Sequence, residues 1–428
     1  MTVNFSRPTI SDIVKRGLCT GCGTCEALCP NAAIKLLEDE DKGIYVPYLN
    51  KRQCTNCGVC TKVCPGYSVN FRFINRRIFK VEAKNPFIGH FINCYLGYAK
   101  QYSIRYNSAS GGLITALLIF CIKARIIDGV LVTKMSLENP LKPQVFVAVD
   151  EHEVLKAAKS KYCPVPLNAS LKSLASKEGK YGMVGLPCHI HGIRKAELID
   201  SEVRRKLRLH LGLFCSHCIS FLGTKYLLQR INVKEEEVAE LDYRGRGWPG
   251  SMIIRLKSGV KKVIPYPQYW GLGFNLFIPP RCLLCPDQTN ELADLSFGDA
   301  WLPEVLGADK IGTSIVISRS EEGERLLERA SLNGYIILKK ISAAEVIRSQ
   351  WRALLRKKRE IAAQNFIFKV LGKNIPFYDL VYPKPRPRAY RKATIRYVLS
   401  SILKNRSLWR LIYGYALWQS KVPLFSSR

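Results

Sequence analysis

Carboxylates are scarce in this sequence: 34 Asp and Glu stand against 66 Lys and Arg, a formal net charge of +32 over 428 residues. That imbalance predicts anionic partners, whether nucleic acid, acidic lipid or a small ligand rich in phosphate or carboxylate, and charge alone does not choose among them. Long apolar runs are missing as well. No stretch approaches the roughly 18 apolar residues of a membrane-spanning helix, and the best candidate, Leu113–Cys121, stops at Lys123. The opening MTVNFSRPTISDIVKRG has no apolar segment of the signal-peptide kind. These absences predict a cytoplasmic protein. Disorder is excluded by 47% apolar and 10% aromatic residues, and the length suffices for two or three domains with cores.

Cysteine, by contrast, is plentiful, with sixteen residues. In a reducing compartment these favour metal binding over disulfides. Cys19-x2-Cys22-x2-Cys25-x3-Cys29-Pro30 is repeated as Cys54-x2-Cys57-x2-Cys60-x3-Cys64-Pro65. This is the spacing of bacterial two-cluster ferredoxins, in which the fourth cysteine of each run ligates the other cluster. Cys19, Cys22, Cys25 and Cys64 are therefore expected to hold one [4Fe–4S] cluster, and Cys54, Cys57, Cys60 and Cys29 the second. Gly21, Gly23 and Gly58 would let backbone amides approach the sulfurs. Paired CxxC also suits structural zinc, but a third ligand at the next x2 and a Cys-Pro ending in both copies argue against it. Residues 1–75 are read as a compact α+β ferredoxin-type domain that carries electrons singly.

Of the other eight cysteines, Cys94 and Cys121 lie in apolar runs and read as small core hydrophobes. Cys163, Cys188, Cys215, Cys218, Cys282 and Cys285 fall in Gly- or Pro-flanked, turn-like places such as GLPCHIHG and PRCLLCPD. A zinc site would draw on His189, His191 and His217, since alternate residues of a strand share a face. A nucleophilic Cys188 would need one oriented base. A third [4Fe–4S] cluster needs four thiolates, and Cys188, Cys215, Cys282 and Cys285 supply four.

Six segments, in order, then carry a resemblance: YNSASGGLITALL (106–118), SKYC (160–163), VGLPCHIHGIRK (184–195), LGLFC (211–215), YRGRGWPG (243–250) and CLLCPDQTNELADLSFGDAW (282–301). Through them the sequence resembles the coenzyme F420 hydrogenase and dehydrogenase beta subunits over about residues 90 to 320, preceded by the ferredoxin unit that some members carry. The resemblance implies an iron–sulfur flavoprotein passing electrons between clusters and FAD, and exchanging a hydride with the deazaflavin F420. It implies that Cys188, Cys215, Cys282 and Cys285 hold the family's own cluster. Two departures stand out: the family's glycine–threonine–proline–cysteine–glutamine is here Gly185-Leu-Pro-Cys188-His189, and Cys218 is an extra thiol. Cys218 or Cys163 would be a substitute ligand, a redox-active spare or part of an additional site.

The turn Ser108-Ala-Ser-Gly-Gly112 before an apolar helix reads either as an anion site at free amides or as an N-cap by Ser110. The resemblance favours the FAD diphosphate, with Ser108, Ser110, Gly111 and Gly112 as candidates. Gly245-Arg-Gly-Trp-Pro-Gly250 formally matches GxGxxG, but it contains proline and precedes the strand-like SMIIRL, so it is no dinucleotide fingerprint. It reads better as a loop near the flavin, where Arg244 or Arg246 would meet phosphate or carboxylate. Lys159, Lys161, Arg194, Lys195 and Arg244 are candidates for the polyanionic F420, although a solvated surface cation is the plainer account of each. Asp299 would contact ribose or flavin, or cap a turn.

Residues 341–428 hold 19 Lys and Arg and three acidic residues. YPKPRPR (382–388) should be an extended linker, followed by a helix whose Ile395, Val398, Ile402, Trp409, Ile412 and Ala416 form an apolar stripe. Docking on a partner subunit or an anionic membrane surface suits it better than nucleic acid.

The expected architecture is mixed α/β: a 2[4Fe–4S] ferredoxin domain (1–75) fused to a two-lobed iron–sulfur flavoprotein core (90–175 and 176–345), then a basic tail (346–428). The expected activity is electron transfer among clusters, FAD and F420 with a hydrogenase, dehydrogenase or other redox subunit as partner. An electron-relay subunit without a substrate site, and a flavoprotein reductase with another acceptor, are the rivals. A zinc protein binding nucleic acid is the remote one.

Overall fold

The computed structural model describes residues 8–410. Its centre is one eight-stranded mixed sheet, in spatial order Ile336–Ile341, Asn93–Ala99, Ser314–Ser318, Leu295–Asp299, Leu207–Leu213, Tyr181–Gly185, Gly129–Met135 and Pro143–Ala148. The four strands 295–299, 207–213, 181–185 and 129–135 run parallel, and antiparallel strands close both sides. Segments such as GVLVTKM and SIVIS are strands because they are β-branched runs buried on both faces. Strands from both sides of the expected 175/176 boundary share this sheet, so the core's two halves are joined through one layer.

The helix Leu113–Lys123 is apolar nearly all round, and it is sandwiched between the sheet and the helix Glu321–Leu332. Cys94 and Cys121 are both buried in apolar cores, the role expected of them. A second sheet, strands 238–242, 251–256 and 261–265, is antiparallel, with SMIIRL as its central strand.

The ferredoxin unit has a hairpin, Ile34–Asp39 with Ile44–Leu49, a leading helix, Ile10–Lys15, and one short helix in each cysteine run, Thr24–Ala27 and Val59–Lys62. Each of these last two is capped by a glycine at the same place in its cysteine run, Gly23 at φ 91° and Gly58 at φ 72°. That left-handed backbone is open to glycine at no steric cost. Gly23 has a second reason: a Cβ there would lie 2.4 Å from the Ala169 amide nitrogen, where the ferredoxin unit meets the core.

Residues beyond 343 fold back over the molecule. The helix Ala343–Leu354 runs through a π-helical turn, Leu355–Arg359, into the helix Ile361–Val370. Phe377–Tyr378 then pairs with Ser68–Val69, and Asp379 accepts from the amides of Phe71 and Arg72 at 2.6 and 2.9 Å. This segment ties the ferredoxin unit to the core. The linker around 382–386 has no regular structure and a helix follows as Pro387–Ile402, but it stops there and does not run on as expected: Trp409 lies on a separate 3-10 turn, Arg406–Arg410.

The expected stripe does not pack as one face. Ala389, Ala393, Leu403 and Trp409 are buried, whereas Ile395, Val398 and Ile402 are exposed. Trp409 lies against Tyr226 and Phe277. Small alanines let the helix approach closely, so they, not the larger aliphatics, face the body. Ile412 and Ala416 lie outside the described residues.

Candidate metal centres and flavin region

Cys19, Cys22, Cys25 and Cys64 line one recess together with Ile10, Leu36, Pro47 and Pro65. Burial pushes the Cys19 thiol up to about 12 and Cys64 to about 11, and the neighbouring thiols add to both. Such thiols stay protonated until a metal displaces the proton. The Gly21 amide donates to Cys19 Sγ at 3.3 Å, the close amide approach expected of the glycines. In the second ligand set the Ala33 amide donates to Cys29 Sγ at 3.3 Å, and Cys29 and Cys60 border the same small core of Ile10, Ile13 and Leu18. Cys54 is half-buried and Cys57 exposed. Among the described residues no three His, Cys, Asp or Glu converge as ligands of a single ion. An iron–sulfur cube takes one thiolate per iron, so its sulfurs stand further apart.

The third set comes from the carboxyl ends of adjacent parallel strands, where open α/β sheets place their sites. Strand 181–185 ends at Gly185 and the helix Pro187–Ala196 begins, with Cys188 in its first turn and proline at its start. Strand 207–213 ends just before Cys215, whose amide donates to the Gln288 carbonyl at 2.9 Å. Cys282 lies on the short helix Pro280–Leu283, and Cys285 follows it. Burial raises the Cys188 thiol well above its ordinary range, and Cys22, Cys215, Cys282 and Cys285 raise it further. The ferredoxin unit's Cys22 lies near this set, since the Asn168 amide donates to the Cys22 carbonyl at 2.9 Å and the Asn168 side chain to the His189 carbonyl, on the Cys188 helix. Cys218 adjoins the same group, and its backbone amide donates to the Cys282 thiol. Cys163, beside Tyr243, is fully buried.

GLPCHIHG is thus a strand end and a helix start, not one strand, and its histidines diverge. His189 Nδ1 accepts from the Leu186 amide at 3.1 Å, and its Nε2 lies 2.9 Å from the Val165 carbonyl. Burial lowers it to about 4. His191 pairs with buried Asp287 at 2.8 Å. His217, held well below its usual range by burial and by Arg356 and Lys357, packs edge-on to Trp270.

The fit to an anionic cluster is electrostatic. Arg356 Nη2 donates to the Ser216 carbonyl at 2.7 Å and Lys357 Nζ to the Asp287 carbonyl at 2.8 Å, both beside the thiols. Arg281, next to Cys282, donates to the carbonyls of Leu18, Pro65 and Gly66, which flank Cys19 and Cys64. Lys195, on the Cys188 helix, donates to the carbonyls of Cys64 and Ser68, each at 2.7 Å. Arg281 and Lys357 are buried with no carboxylate in contact, and such cations call for a nearby negative charge.

Around Ser108–Gly112 the structure uses most of the candidate groups internally. Ser108 Oγ donates to Ile104, Ser110 Oγ to Thr313, and the Gly111 amide to Ser314 Oγ. The helix cap is Gly112 at φ 74°, not Ser110, and no side chain caps this N-terminus. A Cβ on Gly111 would lie 2.5 Å from the Gly97 carbonyl, so strand packing alone requires glycine there. Arg244 is fully buried. It donates to Tyr162 Oη at 3.0 Å and to both Asp299 oxygens at 3.3 Å, and also to the Ala109 carbonyl. Its Nε has no partner. An uncapped helix start and an unsatisfied buried guanidinium nitrogen fit an anion at this place. Lys161 Nζ is held by the carbonyls of Ala158 and Lys159 at 2.7 and 3.0 Å, and burial lowers it to about 7. Arg194 is buried against Glu197 and Asp294, and Lys159 pairs with Asp242. An aromatic wall of Trp270, Tyr266 and Trp301 runs from His217 to Arg244, whose guanidinium lies 4.4 Å over Tyr266.

Comparison with known proteins decides the family. Residues 94–172 match the model of the coenzyme F420 hydrogenase/dehydrogenase beta subunit N-terminus and residues 178–344 that of its C-terminus. The chain belongs to the coenzyme F420 hydrogenase/dehydrogenase beta subunit family. Residues 18–67 match a 4Fe-4S dicluster domain, so this family member carries a ferredoxin-type unit ahead of its core.

The coenzyme F420-dependent sulfite reductase of Methanocaldococcus jannaschii is 26% identical over 371 residues, 82% of this chain and 51% of the relative. The chain thus spans about half the length of that protein. The coenzyme F420 hydrogenase subunit beta of Methanothermobacter thermautotrophicus is 28% identical over 275 residues, 62% of this chain and 91% of the relative. The fold is shared with a chain of the xenon-derivatised F420-reducing [NiFe] hydrogenase complex from Methanosarcina barkeri, with a TM-score of 0.54 and 22% identity over 68% of this chain and 97% of that one. No helix of the described residues is long and apolar enough to cross a membrane.

Reading this beta-subunit relative from its sequence missed Arg281, Arg356 and Lys357. The first precedes a motif cysteine and had a local signal. The other two lie some 70 residues beyond that motif, in a stretch whose only visible feature was charge.

Proposed function

We propose that this chain is an iron–sulfur flavoprotein oxidoreductase subunit that passes electrons between three [4Fe–4S] clusters, FAD and coenzyme F420. The observation that carries the reading is the bonded seam between the first ferredoxin run and the Cys188 helix, where the Asn168 amide donates to the Cys22 carbonyl and its side chain to the His189 carbonyl, each at 2.9 Å, because it makes the first ferredoxin site and the third site neighbours. The clusters would supply one-electron steps and the flavin the exchange between one-electron and two-electron chemistry.

The chain's own residues set the route. Cys188, Cys215, Cys282 and Cys285 hold the third centre, and Arg356 and Lys357 balance its charge. Thr24 Oγ1 lies 3.3 Å from Cys22 Sγ and accepts from Asn168, which also donates to the His189 carbonyl at 2.9 Å, so the interface between the two sites is bonded and buried. Arg244, fixed by Asp299 beside Ala109, orients the Ser108–Gly112 turn toward an anionic flavin. The relatives' names point to hydrogenase- or dehydrogenase-type partner subunits, and the exposed Ile395, Val398 and Ile402 offer a surface for a partner or an anionic membrane.

Anaerobic purification with iron, sulfide, zinc and flavin assayed together tests the reading. About twelve irons and one FAD per chain are expected for three clusters and one flavin. Zinc without flavin would sink it.

A further inference from the structure

The two ends of the ferredoxin unit differ in access. Cys22, Cys25 and Cys64 are buried, and the Cys22 carbonyl accepts from the Asn168 amide of the core at 2.9 Å. At the other end Cys57 is exposed, as is the whole of Asn50–Gln53 ahead of Cys54 and Pro30–Ala32 after Cys29. The second centre is therefore the outer terminus of the chain's electron route.

Apart from Glu26, whose carboxylate accepts from the Leu36 amide at 2.7 Å and lies 3.9 Å from Lys172, charge at this outer end is cationic. No Asp or Glu occurs between Asp41 and Glu82. Lys51, Arg52 and Lys62, each within three residues of a ligand of the second site, are all exposed. None is in an ion pair among the described residues. Asp12 belongs to the helix that lies over Cys60, but its carboxylate is taken by the Thr9 amide and hydroxyl, both at 2.8 Å. Tyr48, 63% exposed, stands just before this loop and offers an aromatic anchor.

A cationic rim around an exposed redox centre raises the encounter rate of an anionic partner and fixes its orientation. We infer that Lys51, Arg52 and Lys62 around Cys57 form the docking face for a separate one-electron carrier protein whose own redox centre is ringed by carboxylates. The inference rests on the two-cluster reading of the ferredoxin unit. In each encounter the carrier gains the one electron that the outer centre loses, or the reverse, and no bond or proton is exchanged.

The test uses the anaerobically purified full chain and, as probe, an acidic bacterial-type 2[4Fe–4S] ferredoxin. Binding is measured by interferometry at low and high salt, and electron transfer by stopped-flow mixing with the dithionite-reduced probe. K51E/R52E/K62E is compared with K100E/K339E/K340E, an equal charge change at the exposed edge of the large sheet. The first variant should weaken binding and slow transfer about tenfold or more at low salt, while the second stays within about twofold of wild type. Equal loss in both variants, or loss in neither, overturns the docking face. Iron content and cluster EPR are read on every preparation. A wild-type chain without cluster iron would remove the two-cluster reading itself, whereas a loaded chain indifferent to K51E/R52E/K62E removes only the docking face.

Discussion

Lys195 donates its ammonium to the carbonyl of Cys64 at 2.7 Å, across the junction of core and ferredoxin unit. It lies seven residues after Cys188 on one helix, which puts both on the same face about 10.5 Å apart along the axis. A ligand of the third site and a clamp on the first are thus carried by one rigid element. The spacing of the two centres is set by helix geometry rather than by a linker.

Lys195→Met should keep the iron yet lower the reduction potential of the first cluster, because a buried positive charge beside Cys64 and Cys22 is removed. It should also lower stability by about 2 kcal/mol or more, as two carbonyls lose their donor. EPR-monitored redox titration checks the first point and thermal unfolding the second; an unchanged potential would refute the electrostatic role.

Cys188→Ser should lose about four of some twelve irons and keep the ferredoxin pair. Cys218→Ser should keep all of them, since Cys188, Cys215, Cys282 and Cys285 already supply the four thiolates that a cube takes. If the two variants exchanged these outcomes, Cys218 would be the ligand.

Arg244→Lys retains the charge but loses the planar fork that spans Asp299, Tyr162 and Ala109. Flavin affinity should fall about 10- to 100-fold, the effect of one lost charge-assisted hydrogen bond, with iron content unchanged. Fluorescence titration of released flavin measures it, and an unaltered Kd would place the flavin elsewhere.

His210 lies between Glu197 at 2.7 Å and Asp294 at 3.0 Å, and is buried. Burial and Arg194 push its protonation down, but the two carboxylates outweigh them and hold it above the usual range. A histidine raised on folding contributes stability that is fully present below its unfolded value of about 6.5 and is lost as pH rises through the folded value. The Tm deficit of His210→Gln should therefore be largest near pH ~6 and shrink toward pH ~9. A deficit that grows with pH would contradict this.

Much of the candidate site was legible from spacing. The two ferredoxin runs and the order of the later cysteines needed no coordinates, because cluster ligation imposes a strict local pattern. The flanking strands and the helix after Gly112 were legible for a similar reason, their runs being long and apolar enough to show their period. Less was legible where contacts join distant residues. The cationic stretch around 356–358 read as part of a solvated tail, yet Lys357 is buried on the Asp287 carbonyl. The Ile395 stripe read as a docking face for a partner or membrane; which residues of its helix meet the body, Ala389 and Ala393, was not legible.

The sequence by itself determined the ferredoxin unit, the set of thiols available for a third site and the family, since these depend on residue type and short spacing. Only the tertiary structure decided that Cys22 lies beside the Cys188 helix, that Lys195 and Arg281 bind the two units together, and that Cys57 is left open to solvent. Those facts follow from which strand ends and helix faces the core brings together, and no local periodicity encodes that.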